Sequence, residues 1–258
     1  MGSVWFDAYI LSIIIHNMNW IIQDSNNEHK NWVRIYNSAI LAGDSAEYIN
    51  VDDVEQILSI NKKSIVIGGD DFVDNCLKNP LLAIGIFRDD KFFNTENYVA
   101  LFKNDFFNYD GIHISFGDMN TLKNNTYFIR PFKDVKFFDG GVYQSDDFIK
   151  QYRSILSTDE LIFVSSPKTI ICEWRFVVVC NSIITYYRYV GEKNNDDQAA
   201  FYVNSILHKI RKMPSALVID IVYTPDGFKV LECNVINSSN FYECNIDKIV
   251  RALDDLMN

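Results

Sequence analysis

The sequence predicts an α/β (α+β) protein on three observations. Apolar runs of strand length alternate with helical spacing through roughly the first 115 residues, which reads as an α/β layer. Strand segments paired around turn signals dominate the remainder. The composition, 48% hydrophobic and 22% charged, is that of an ordinary folded domain rather than a disordered chain. At 258 residues, without repeats or low-complexity tracts, the chain can hold one large domain or two small ones.

The elements follow in order. Residues 19–23 form a short apolar strand, and residues 28–42 place Trp32, Ile35, Ile40 and Leu41 at helical spacing. Residues 47–51 read as a second strand, 52–59 as a short helix behind an acidic cap, and 64–67 as a buried strand closed by Gly68-Gly69. A double glycine after a strand is most often a tight turn, and we read it so rather than as a phosphate loop. Further along, 126–130 is a strand ending at Arg130-Pro131, 142–143 follows Gly140-Gly141, 146–154 is helical and 161–164 is a strand. Residues 170–190 form a long hairpin turning at Asn181-Ser182, 199–211 are helical, 217–242 hold a second hairpin, and 247–256 form a last helix.

Several function classes are disfavoured. The net charge of −10 argues against nonspecific binding to nucleic acid or anionic membranes. Five widely spaced cysteines without a CxxC pair point to reduced thiols in a cytoplasm, and the four histidines show no metal spacing. Within residues 1–17 the apolar run from Tyr9 to Ile15 is too short to span a bilayer and lacks a basic flank; we read this segment as an extension before a domain that starts at Met18.

The second hairpin concentrates the chemistry. Thr224-Pro225-Asp226-Gly227 suits a three-residue loop with a glycine bulge, so that Thr224 would pair with Phe228 and, counting outward, Asp220 with Glu232. Asn234 then shares their face, while Ile219, Ile221, Leu231 and Cys233 point to a core. Two facing carboxylates repel unless something positive sits between them, and two carboxylates with an amide oxygen suit Mg²⁺. A solvated hairpin with its charges in water fits these residues equally well.

The first hairpin offers positive charge. With a turn at Asn181-Ser182, Arg175 faces Arg188 and Glu173 lies two residues away, an arrangement that suits a polyanion such as a triphosphate. Separate surface partners for each arginine, Glu173 for one, are the competing reading. Arg130 and Lys136 add two cations near Gly140-Gly141, where backbone N–H groups can approach phosphate, although a lysine beside a glycine pair is common in surface turns.

Taken in order, YFIRPF, KFFDGG, LIFVSSP, CEWRFVVV, YYRY, VIDIVY and LECNVINSSNFY resemble the ATP-grasp superfamily, and within it the phage and bacterial clade named for two arginines and a lysine. The likeness covers roughly residues 127–256, and MNWIIQ at the start of the domain is similar to the clade's Rossmann-like pre-ATP-grasp domain. It implies a pre-ATP-grasp α/β domain over 18–115, an ATP-grasp domain over 116–258, and ATP with Mg²⁺ as cofactors.

The same resemblance implies a role for each matching position. Arg130 and Lys136 would touch nucleotide phosphates, and Phe163, Val164 and Ser165 would lie in the linker that offers backbone hydrogen bonds to adenine. Arg175 and Arg188 would bind the far end of the triphosphate and the acyl phosphate, with Glu173 orienting Arg175. Asp220, Glu232 and Asn234 match the magnesium ligands. Asn240 departs from the pattern, standing where the family carries glycine for a left-handed backbone, in a loop (238–242) where an acceptor substrate would dock.

The function implied is a carboxylate–amine ligase working through an acyl phosphate, on a small-molecule or peptide carboxylate and an amine acceptor. A kinase on the same phosphate apparatus, in which a hydroxyl accepts the phosphoryl group, is the alternative enzyme. The third reading is a nucleotide-binding accessory protein without turnover, against which the retention of Lys136, Arg175, Asp220, Glu232 and Asn234 argues.

Overall fold

The computed structural model describes residues 18–25, 29–93, 95–132, 138–192, 195–210 and 212–258. The extension at 1–17 and Lys136 therefore lie outside the described residues. The chain divides into two compact units, residues 1–86 with 257–258, and residues 87–256.

The first unit is an α/β layer. Strands β1 (Asn19–Gln23), β2 (Ser45–Ile49) and β3 (Ser64–Ile67) form a parallel sheet in the order β2-β1-β3. Parallel neighbours require crossovers, supplied by α1 (Lys30–Ala42) and α2 (Val54–Ser59). The central strand has Trp20, Ile21 and Ile22 fully buried, as a strand covered on both faces must be. Helix α1 stops at Gly43, left-handed at φ 94°, whose N–H returns to the Ile40 carbonyl.

Two short helices that carry no periodic signal in the sequence, α3 (Asp70–Cys76) and α4 (Pro80–Ala83), complete the layer. Gly68-Gly69 is a packing turn. A Cβ on Gly68 would lie 2.3 Å from the Phe72 ring, and the Gly69 N–H already donates to Gln23 Oε1 at 2.7 Å.

The second unit has two four-stranded antiparallel sheets. Helix α5 (Thr95–Phe102) precedes β4 (Ile112–Ser115), β5 (Thr126–Pro131), β6 (Gly141–Gln144), α6 (Ser145–Tyr152) and β7 (Leu161–Ser165), and the first sheet runs β4-β7-β5-β6. Then come β8 (Cys172–Val179), β9 (Ser182–Val190), α7 (Asp196–Lys209), β10 (Ala216–Thr224), β11 (Gly227–Asn234) and α8 (Ile246–Met257), with the second sheet in the order β11-β10-β8-β9.

This compact unit begins at Phe87, and the packing explains why. Phe92, Tyr98, Phe102 and Phe106 are buried in one core with Trp174, Phe176, Leu217 and Ile219, and β4 pairs with β7. These aromatics bind residues 87–115 to the sheets that follow.

Both hairpins depart from their expected registers. The β10–β11 loop is one residue tighter than expected: Thr224 pairs with Gly227, which is left-handed at φ 101°, and the Thr224 hydroxyl closes the turn on Asp226 N–H and the Gly227 carbonyl. A bulge between Asp220 and Ile221 then makes Leu231 the extra residue, so Asp220 meets Glu232 after all. The bulge also sends Val230, instead of Leu231, into the core.

The β8–β9 turn sits at Cys180-Asn181, both left-handed at φ 49° and 57°, as a two-residue primed turn requires, and not at Asn181-Ser182. One bulge falls between Val177 and Val178 and another between Glu173 and Trp174. Between them the ladder stays one residue out of the expected register, so Arg175 opposes Tyr187 and Arg188 opposes Trp174. The five cysteines are free thiols, and no helix among the described residues is long and apolar enough to cross a membrane.

Candidate functional site

The sheet register gathers the site. In β10, Asp220 lies between Arg175 of β8 and Glu232 of β11, so one cross-strand row carries a cation and two carboxylates. Asn234 is two residues further along β11 and shares that face.

Arg175 pairs closely with Asp220 and stands within longer reach of Glu232. Its Nε and Nη2 donate to both oxygens of Asp220, at 2.9 and 2.6 Å, and Nη2 lies 4.0 Å from Glu232 Oε1. The pair is deeply buried, Asp220 at 1% and Arg175 at 8% exposure. Nη1 donates to the Asn240 carbonyl at 2.7 Å, and the guanidinium stands 4.9 Å from the centre of the Tyr242 ring.

The electrostatics follow from burial. Desolvation pushes the Asp220 carboxyl up to about 7, Glu232 adds to the rise, and Arg175 opposes it. Desolvation works against the Arg175 charge, but the bonds to Asp220 outweigh it and hold the guanidinium above its ordinary value. The two-point contact is that of an ionised carboxylate on a guanidinium, and we take the pair as charged. Glu173 is raised, first by burial and then by Glu232, and its carboxylate accepts the Tyr189 hydroxyl.

A divalent cation would find three oxygen-bearing groups here: Asp220, Glu232 and Asn234. The Asn234 amide nitrogen faces Glu232 Oε1 at 3.0 Å and Asp220 Oδ2 at 3.4 Å, so turning that amide over presents its oxygen to the same two carboxylates. Two carboxylates and an amide match the hard-oxygen set that Mg²⁺ shares with water and phosphate, so these residues fit the ion. Among the described residues no group of three or more acidic, histidine or cysteine side chains is arranged to hold a metal on its own.

The remaining expected residues divide. Arg130 lies on β5 opposite Phe163, and its charge reaches the buried Tyr98 hydroxyl, which donates at 2.7 Å to the carbonyl of Cys233, between Glu232 and Asn234. Gly140 packs against Arg130, with its Cβ position 3.2 Å from the Arg130 Cβ.

Arg188 does not join Arg175. It turns to the other face, where its Nη1 and the Trp174 indole N–H share Asp196 Oδ1 at 3.1 and 2.8 Å. The Phe163 and Val164 side chains are buried in two different cores, and their strand is paired along both edges, with β4 and with β5. Those peptide groups already have ladder partners, so the backbone at Phe163 and Val164 is committed to the sheet. Ser165 is buried with its hydroxyl on Asn108 Oδ1 at 3.1 Å, and the chain leaves the sheet at Ser166, whose N–H is held by Asp110.

Asn240 is not left-handed. Tyr242 is, at φ 46°, and the Asn240 side chain accepts the Tyr242 N–H at 2.8 Å. Tyr189 stacks on Tyr242 with ring centres 4.9 Å apart. No sequence signal marks either tyrosine, because their meeting depends on a bulge and a loop far apart in the chain.

A family model for the ATP-grasp domain, that of the second family in the clade named for two arginines and a lysine, matches residues 109–252. The chain belongs to that family. Its fold is similar to solved ATP-grasp proteins. The RimK domain protein ATP-grasp from Sphaerobacter thermophilus is 11% identical, with 91% of this chain and 98% of that chain covered and a TM-score of 0.62. The ATP-grasp ligase PsnB, complexed with precursor peptide PsnA2 and AMPPNP, is 11% identical over 94% and 98% of the two chains, with a TM-score of 0.59. D-alanine–D-alanine ligase from Bacillus anthracis complexed with ATP is 13% identical over 93% and 98%, at 0.57. No curated protein matches the sequence.

Proposed function

We propose that this ATP-grasp protein is an ATP-dependent carboxylate–amine ligase that forms an amide or peptide bond through an acyl phosphate. The observation that carries the reading is the row Arg175–Asp220–Glu232 with Asn234 beside it. The substrate carboxylate attacks the γ-phosphorus of ATP and ADP leaves. An amine then attacks the acyl carbon, inorganic phosphate departs, and the amine gives up a proton.

Arg175 has two N–H groups beyond its three bonds and is already oriented by Asp220 and Asn240, so it can meet the far phosphate and the acyl phosphate without being reorganised. Asp220, Glu232 and Asn234 would hold Mg²⁺, which when bound neutralises phosphate charge. Arg130, by its place on β5, and Lys136, by its motif, would supply further phosphate contacts. We assign Arg188 a structural role, since it faces Asp196 at the start of α7. A peptide as one substrate is supported by PsnB, which has been solved with precursor peptide.

The test is to incubate the protein with ATP, Mg²⁺ and a panel of amino acids and peptides, then measure ADP and product masses against an Asp220→Asn control. ADP release that needs both an acid and an amine, with a condensed product, is the expected result. A phosphorylated product formed without an amine would replace the ligase reading with the kinase reading.

A further inference from the structure

We propose that the turn carrying Tyr242 is a positioning element for Arg175, an inference that rests on the ligase reading above. Tyr242 adopts a left-handed backbone that a non-glycine residue occupies only where surrounding structure holds it, and such strain collects at functional sites. Contacts with Asn240 and Tyr189 help to hold it here. The Asn240 carboxamide oxygen takes the Tyr242 N–H, and Tyr189 stacks behind the Tyr242 ring, itself bonded through its hydroxyl to Glu173.

The strained turn presents two groups to one guanidinium, the Asn240 carbonyl to Nη1 and the Tyr242 ring to the guanidinium carbon. Asp220 grips the opposite side through Nε and Nη2. Arg175 is thereby fixed on three sides while two N–H groups remain for an anion. Asp220 alone would leave the plane of the guanidinium free to swing about the carboxylate. The ring and the carbonyl remove that freedom, so no side-chain ordering is left for the moment of phosphate binding. The aromatic face of Tyr242 stands against the guanidinium and carries the effect.

The experiment compares binding of ADP and of the non-hydrolysable analogue AMPPNP, each with Mg²⁺, by calorimetry on the full chain. Tyr242→Gly relaxes the left-handed backbone while deleting the ring, so it should fold as well as the wild type. It should lose about tenfold of the preference for AMPPNP over ADP, with ADP affinity unchanged, as expected for loss of a cation–π contact in a desolvated site. Tyr242→Phe should keep the preference, and Arg175→Ala should abolish it. Retained preference in Tyr242→Gly would overturn the proposal, and so would an equal loss for both nucleotides in Tyr242→Gly and Tyr242→Phe. A wild type that binds neither nucleotide would instead overturn the ligase reading on which the proposal stands.

Discussion

The two hairpins of the second sheet, β8–β9 and β10–β11, begin from the same kind of displacement and end differently. In β10–β11 the turn is one residue tighter than the Thr-Pro-Asp-Gly signal implies, and the bulge at Leu231 restores the count before Asp220 is reached. In β8–β9 the displacement is larger, the first bulge corrects only part of it, and the second comes beyond Arg175. One residue of slip turns a side chain to the other face of the sheet. That slip is the difference between Glu232, which shares the face of Asp220, and Arg188, which leaves the face of Arg175 for Asp196. A bulge therefore decides which charges can act together as much as the residues do.

The most drastic way to break this contrast is Asp220→Ala. It strands the Arg175 charge in a site where the arginine is only 8% exposed, and chemical denaturation should register a loss of about 3 kcal/mol together with loss of nucleotide turnover.

Arg188→Ala sharpens the comparison from the other side. It removes a partly exposed bond to Asp196, so stability should fall by about 1 kcal/mol while Mg²⁺-dependent AMPPNP affinity holds, where Arg175→Ala would lose it. A fall in nucleotide affinity for Arg188→Ala would return that arginine to the site.

The smallest effect belongs to a more exposed ion pair, Asp110 with Lys168, at the chain segment leading into β8. Partial burial opposes the Asp110 charge, but Lys168 and the Ser166 hydroxyl and N–H outweigh it and lower the carboxyl from its ordinary 3.8. Folding thus favours the ionised form, so the stabilisation is complete above that value and drains away as the pH falls through the lowered one. Stability followed by denaturant titration from pH 6 downward, about the range where carboxylates begin to titrate, should fall less steeply at acid pH in Asp110→Asn than in wild type.

Much of this arrangement is legible in the sequence, and the failures have physical causes. Periodicity locates β1, α1, β3, β7 and the strands of both hairpins, because those segments are buried on at least one face. Helices α3 to α5 escape because they are short and because their apolar residues, such as Phe72 and Phe102, answer to packing more than to a regular stripe. The Asp220–Glu232 pair emerges from a turn count whose error the Leu231 bulge cancels. Arg188 is misplaced because Cys180, with a Cβ, accepts a left-handed turn position that propensity gives to asparagine or glycine. The partner of Asp220 is an arginine from the neighbouring strand of the other hairpin, a pairing that no local pattern announces.

Strand β7 carries one further consequence. Phe163 belongs to the core beneath Trp174 and Phe176, while its neighbours Ile162 and Val164 belong to the core of Phe138, Phe148 and Tyr152. Alternating side chains of a single strand thus seal two separate oily interiors, and neither can loosen without exposing the other. The second unit should melt as a single cooperative block, with the amide protons of β7 among the last to exchange with solvent.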